Sequence, residues 1–156
     1  MIAVHGADGG ALIGMRIMLG SILVGKKPLV TVGRDTLVSQ IVALLYQHRI
    51  GAVLVMDGDA IAGLVSERDV CRCMHTHGNG VHDARAAEIM SAPVVTASAS
   101  MSVCDAMAIM TDRRFRHLPV LEDERLLGLV SIGDLVKRRI EDAEAEAESL
   151  KHYIAS

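Results

Sequence analysis

A chain of 156 residues, 51% hydrophobic but only 2% aromatic and lacking tryptophan, holds enough apolar material for one compact domain or two small ones sharing a core. The scarcity of aromatic rings argues against single-stranded nucleic-acid binding, which relies on stacking platforms. The net charge of −3 is more than accounted for by Glu141, Asp142, Glu144, Glu146 and Glu148, so a mildly basic body carries an acidic tail and suits small anions better than a long polyanion.

Residues 1–14 are rich in Gly and Ala without a clear period and are expected to be a flexible extension. Met15 to Val24 predicts a short apolar helix leading into a first repeat over residues 15–75. Pro28 to Val32 reads as a strand with proline confined to its start. Asp35 and Thr36 offer N-cap oxygens, and Val38, Ile41, Val42 and Leu45 recur at helical spacing. Ala52 to Met56 is a second strand, and Asp57-Gly58-Asp59 turns it back into a third, Ala60 to Ser66. A second helix, Glu67 to Met74, completes a β-α-β-β-α unit, whose strand–helix–strand crossover should be right-handed with parallel strands.

A linker over residues 76–84 follows, and Ala84 to Met90 predicts a helix introducing a second repeat, residues 85–140. A shift of 65 residues lays Pro28 on Pro93 and runs without a gap to Asp69 on Asp134. Val30/Val95, Thr31/Thr96, Val38/Val103, Ala43/Ala108, Arg49/Arg114 and Val55/Val120 are identities on the way. The chain is therefore a tandem duplication. From Ile132 the last helix continues uninterrupted into the acidic tail, residues 141–156, where Leu150, Tyr153 and Ile154 form an apolar cluster suited to a neighbour or a second subunit.

The duplicated stretch that bears chemistry is Gly63-Leu64-Val65-Ser66-Glu67-Arg68-Asp69, returning as Gly128-Leu129-Val130-Ser131-Ile132-Gly133-Asp134. Each copy is a strand that stops at a serine and opens a helix with an aspartate in its first turn. Unpaired N–H groups and the helix dipole make that end electropositive, so a phosphate can sit there beside the serine hydroxyl. The aspartate can accept charge-assisted bonds from a ribose diol, worth about 1.5–3 kcal/mol each. The alternative is that Ser and Asp only cap the two helices.

A tandem β-α-β-β-α unit with this strand end resembles the cystathionine-β-synthase (CBS) domain pair, or Bateman module, as found in stand-alone bacterial proteins. Pro28-x-x-Thr31, Gly63 to Asp69, Arg116-His117-Leu118-Pro119-Val120 and Gly128 to Asp134 carry the resemblance, which covers about Met15 to Ile140. It implies a mixed α/β (α+β) fold with two repeats related by pseudo-two-fold symmetry. It also implies a regulatory module, not an enzyme, binding AMP, ADP or ATP, or else NAD(H) or S-adenosylmethionine, in a cleft between the repeats. On that pattern Asp69 and Asp134 hold ribose, Ser66 and Ser131 approach phosphate, and Thr31 and Thr96 line the adenine slot. Arg116 and His117, just before Leu118-Pro119, are nominated for the phosphates, with Pro119 in the same segment and Arg68 a further candidate. The matching positions differ: Gly51, Ala52 and Leu54 stand opposite Arg116, His117 and Pro119, and Gly133 stands opposite Arg68. The two sites are therefore not equivalent, and one should dominate.

Two rival readings remain open. Cys71, Cys73, His75 and His77, with His82 nearby, offer soft ligands for a metal or redox module, although positions two apart on a helix do not share a face. A purely structural oligomerisation domain built on the last helix is the other. No nucleophile–base set, Walker loop or dinucleotide fingerprint is visible, which argues against catalysis. Three cysteines without a disulfide pattern suggest a reducing compartment, and no apolar run nears the roughly 20 residues of a membrane span. The expectation is a cytoplasmic homodimer formed through the repeat pair, answering to an unidentified regulated protein.

Overall fold

The computed structural model describes residues 1–4 and 17–155. Most of the expected extension thus lies outside the described residues, but its first residues are not loose. Ile2–Val4 forms strand β1 at the edge of a four-stranded sheet, and the Ile2 amide donates to the Val94 carbonyl at 2.8 Å.

The chain divides into two compact units. In the first, β2 (Thr31–Gly33), β3 (Ala52–Asp57) and β4 (Ala60–Ser66) form a three-stranded sheet in that order, crossed by α2 (Val38–His48) and followed by α3 (Glu67–His77). β2 and β3 are parallel and β3 and β4 antiparallel, as a strand–helix–strand crossover followed by a hairpin requires. Val38, Ile41 and Leu45, at helical spacing on α2, are buried against Val53, Val55 and Val65 of the sheet. The N-cap of α2 differs from expectation. Leu37 holds that place with no side-chain cap; its amide donates to Gln40 Oε1, and Asp35 instead pairs with Arg85 at 3.4 Å.

The second unit repeats the plan with β5 (Val95–Ser98), β6 (His117–Glu122) and β7 (Arg125–Ser131), α5 (Val103–Arg113) and α6 (Ile132–Ala155). Here Ser102 does cap its helix, accepting from the Asp105 amide at 3.1 Å. Met110, Leu118, Val120, Val130 and Leu135 are fully buried in its core. α6 runs unbroken through the acidic tail, as the lack of Gly or Pro after Gly133 predicts.

The leading helices correct a simple reading of chain order. α1 (Leu19–Leu23), ahead of the first repeat, packs in the second unit, and α4 (Ala86–Ile89), ahead of the second repeat, packs in the first. Backbone bonds fix both: Leu19 and Gly20 amides reach the Met101 and Ala99 carbonyls, while Ala86 and Ala87 amides reach Thr36 and Arg34. The expected linker also has structure, a short 3-10 helix at Gly78–His82.

Side-chain seats explain the exchange. A Cβ at Gly63 would lie 2.5 Å from Met90 Sδ, and one at Gly128 would lie 2.9 Å from Leu23 Cδ2. The two equivalent glycines leave room for an apolar side chain from each exchanged segment. Opposite each, the hairpin register slips, between Val55 and Met56 and between Val120 and Leu121.

Candidate functional site

At the end of β4, the Ser66 hydroxyl accepts from the Asp69 amide, and Asp69 Oδ2 in turn accepts from the Ser66 amide at 2.8 Å and its hydroxyl at 2.6 Å. This is a reciprocal capping box. The other oxygen is also occupied. Asp69 Oδ1 accepts from Arg72 Nη2 at 2.7 Å and from the Ser91 hydroxyl at 3.0 Å. The Asp69 side chain is 4% exposed. Its carboxylate is therefore spent within the first unit, on a helix cap, an ion pair and the segment that follows α4.

The end of β7 begins in the same way. Asp134 Oδ2 accepts from the Ser131 amide at 2.7 Å and its hydroxyl at 2.9 Å, and the Asp134 amide donates to Ser131 Oγ. There the likeness stops. A third donor to Oδ2 is the Lys26 ammonium at 2.6 Å, which also reaches the Leu129 carbonyl at 3.0 Å. Among the described residues no hydrogen bond to Asp134 Oδ1 is found, and the side chain is 32% exposed. Burial works to raise the Asp134 carboxyl, but the bonds from Lys26 and from the Ser131 amide and hydroxyl outweigh it and hold the group below the ordinary carboxylate range.

Lys26 and Ser91 occupy equivalent positions under the 65-residue shift, and so do Leu129 and Leu64. In the first unit the Ser91 backbone pairs with Leu64 in both directions and its hydroxyl touches Asp69. In the second, the lysine side chain alone reaches both the strand carbonyl and the aspartate. Arg72 likewise corresponds to Lys137, which turns away to Glu141 at 3.9 Å. Lys26, Arg72 and Ser91 escaped the sequence reading, although the shift that aligned Asp69 with Asp134 also aligned Lys26 with Ser91.

The other candidates divide between the units. Arg116 and His117 adjoin the Asp134 end: the Ile132 amide donates to the Arg116 carbonyl at 2.9 Å, and His117 pairs in register with Ser131. The Arg116 side chain is exposed and His117 half-buried. Pro119 lies buried in β6 opposite Leu129, a wall residue with no polar group to offer. Arg68 is exposed in the first turn of α3. Thr31 is exposed at the start of β2, whereas its counterpart Thr96 is 2% exposed in β5. Cys71 is exposed and Cys73 buried, so the two thiols face apart on α3, and Cys73 Sγ lies 3.6 Å from His77 Nδ1. Among the described residues no group of three or more His, Cys, Asp or Glu side chains could hold a metal ion.

Two β-α-β-β-α units, each ending a strand on Ser-x-x-Asp at a helix start, define a duplicated α/β module. The CBS domain family model matches residues 20–76 and again 86–141, and the chain belongs to that family. It is 34% identical over 125 residues to the mitochondrial CBS domain-containing protein CBSX3 of Arabidopsis thaliana, a match covering 77% of this chain and 61% of that protein's length. A solved CBS-domain protein of Burkholderia ambifaria, described as a putative signal-transduction protein, is 42% identical with a TM-score of 0.77, covering 81% of this chain and 96% of its own. A CBS domain pair solved with 5-methylthioadenosine and S-adenosyl-L-methionine shares the fold at 21% identity and a TM-score of 0.70, over 78% of this chain and 94% of that one.

Proposed function

We propose that this CBS pair is a non-enzymatic sensor of an adenosyl ligand, and that the ligand is held at the Asp134 strand end of the second repeat. The observation that carries the reading is the contrast between the two aspartates. Asp134 keeps one carboxylate oxygen without a partner among the described residues and is a third exposed, whereas both oxygens of Asp69 are engaged in a buried network. A ribose diol can donate to Asp134 Oδ1 without disturbing the cap on Oδ2. Cationic groups suited to phosphate, Lys26 and the Arg116–His117 segment, belong to the same unit.

AMP, ADP and ATP fit this donor set best, and NAD(H) or S-adenosylmethionine share the adenosyl half. The solved CBS pair with bound S-adenosyl-L-methionine and 5-methylthioadenosine supports the ligand class without fixing its member. Function follows from linkage: ligand stabilises one conformation, and a regulated protein that prefers it responds to ligand level. The module acts as a homodimer in the cytoplasm, where Cys71, Cys73 and Cys104 stay reduced.

Calorimetry with AMP, ATP and NADH on the wild type and the two single variants tests the reading. Asp134→Ala should weaken binding about 10-fold or more, the value of at least one charge-assisted hydrogen bond. Asp69→Ala should lower stability while leaving affinity within about threefold. Absence of binding to the wild type at millimolar ligand would end the proposal, and so would a loss confined to Asp69→Ala.

A further inference from the structure

Beyond its N-terminal turns, α6 leaves the second unit with an apolar stripe that nothing among the described residues covers. Leu135 is fully buried in that unit, but Val136, Ile140, Leu150 and Ile154 are 40%, 54%, 57% and 84% exposed. With the exposed Ala143 and Ala147 they alternate at spacings of four and three: 136, 140, 143, 147, 150, 154. That is the 3.5-residue period of a coiled-coil seam. Ile140, Ala147 and Ile154 take the a positions and Val136, Ala143 and Leu150 the d positions. Isoleucine at a with leucine at d, as at Ile154 and Leu150, is the combination that favours two parallel strands.

The charges flanking the seam choose the occupant. Lys137, Glu144 and Lys151 fall at e, and Arg139 and Glu146 at g. In a parallel in-register pair each g residue meets the e residue five places on in the other helix. Arg139 then faces the partner's Glu144, and Glu146 faces the partner's Lys151. Both contacts are attractive, and each occurs twice by symmetry. An antiparallel pair overlapping the same stripe would set Glu144 against the partner's Glu144, Glu146 against the partner's Glu146 and Lys137 against the partner's Lys151. All three repel. The surrounding Glu141, Asp142 and Glu148 also oppose an anionic membrane surface.

We infer that residues 136–154 of two copies of this chain pair as a short parallel coiled coil, in register, with Arg139–Glu144 and Glu146–Lys151 contacts between copies. The ion pairs each helix makes alone, Arg139 with Asp142 at 3.3 Å and Lys151 with Glu148 at 3.5 Å, are exposed and individually weak, so they exchange readily for contacts to the partner. The alanine layers let the helix axes approach closely at the centre of the seam. This inference stands apart from the ligand reading, since it uses only α6.

Site-directed cross-linking and charge exchange test it on the full chain. In a background with the exposed Cys71 and Cys104 replaced by serine, Leu150→Cys should form a covalent dimer in a glutathione redox buffer, while Arg138→Cys, on the outer face, should not. Arg139→Glu alone and Glu144→Arg alone should each weaken dimerisation about threefold to tenfold by sedimentation equilibrium, and the double variant should recover it. A dimer in which the Leu150→Cys variant fails to cross-link, cross-linking that is equal at positions 138 and 150, or a double variant weaker than both singles would each overturn parallel pairing.

Discussion

Two strand ends with the same motif do different work in the two units. At the first, Ser66, Arg72 and Ser91 surround a buried Asp69 and use both of its oxygens. At the second, Ser131 and Lys26 gather on one oxygen of a partly exposed Asp134. A duplicated motif therefore sets the geometry of a carboxylate but not its availability, which depends on residues arriving from elsewhere in the chain.

The largest expected effect breaks this contrast directly. Asp69→Ala removes a cap and strands Arg72 and Ser91, and should cost about 2–3 kcal/mol in urea unfolding; Asp134→Ala should cost about 1 kcal/mol. Equal losses would mean that the two ends are structurally alike after all. The glycine seats extend the comparison. Gly63→Ala presses its new Cβ against three side-chain atoms of Met90, from Sδ at 2.5 Å to Cβ at 3.0 Å, and should cost about 1–3 kcal/mol. Gly128→Ala meets the movable end of Leu23 and should cost less than half of that.

Acid sharpens the difference further. The Asp134 carboxyl is held below its unfolded value, so its contribution is complete above about pH 4 and is lost as pH falls through the lower folded value. Lys26→Met should lower stability at pH 6 by under about 1 kcal/mol, since the pair is a third exposed, and that loss should shrink toward pH 3. Thermal unfolding of both proteins across that range measures it. The smallest effect lies in the hairpins. The β3–β4 turn places Gly58 at φ 59°, whereas the β6–β7 turn holds Asp123 and Glu124 at φ 46° and 63°. Glu124→Gly should therefore stabilise the protein by about 0.5 kcal/mol, a left-handed penalty relieved against glycine's added entropy.

Much of the architecture was legible because the period of 65 residues and the alternation of strand and helix patterns are local properties. Val38, Ile41 and Leu45 announced a buried helix face, and Gly63 to Ser66 announced a strand ending at a helix start. The partition of the leading helices was not legible. Leu19–Leu23 and Ala86–Ile89 are apolar beside both repeats, and sequence order alone assigns each to its neighbour. The paired glycines held the missing information, since each marks a place where a passing side chain must fit. Lys26 was obscured for another reason. It lies two residues before the aligned block, and a surface lysine there has no local feature that separates it from any other.

The exchange of leading segments also constrains how such a protein could be taken apart or assembled by evolution. Cutting between the repeats would leave each half wearing a helix that belongs to the other and missing the one that fills its own glycine notch. A one-repeat forerunner would have met its need only by trading helices with an identical twin. Gene fusion would then have turned an obligate partnership into a single polypeptide, freeing each copy of the motif to drift toward its own task.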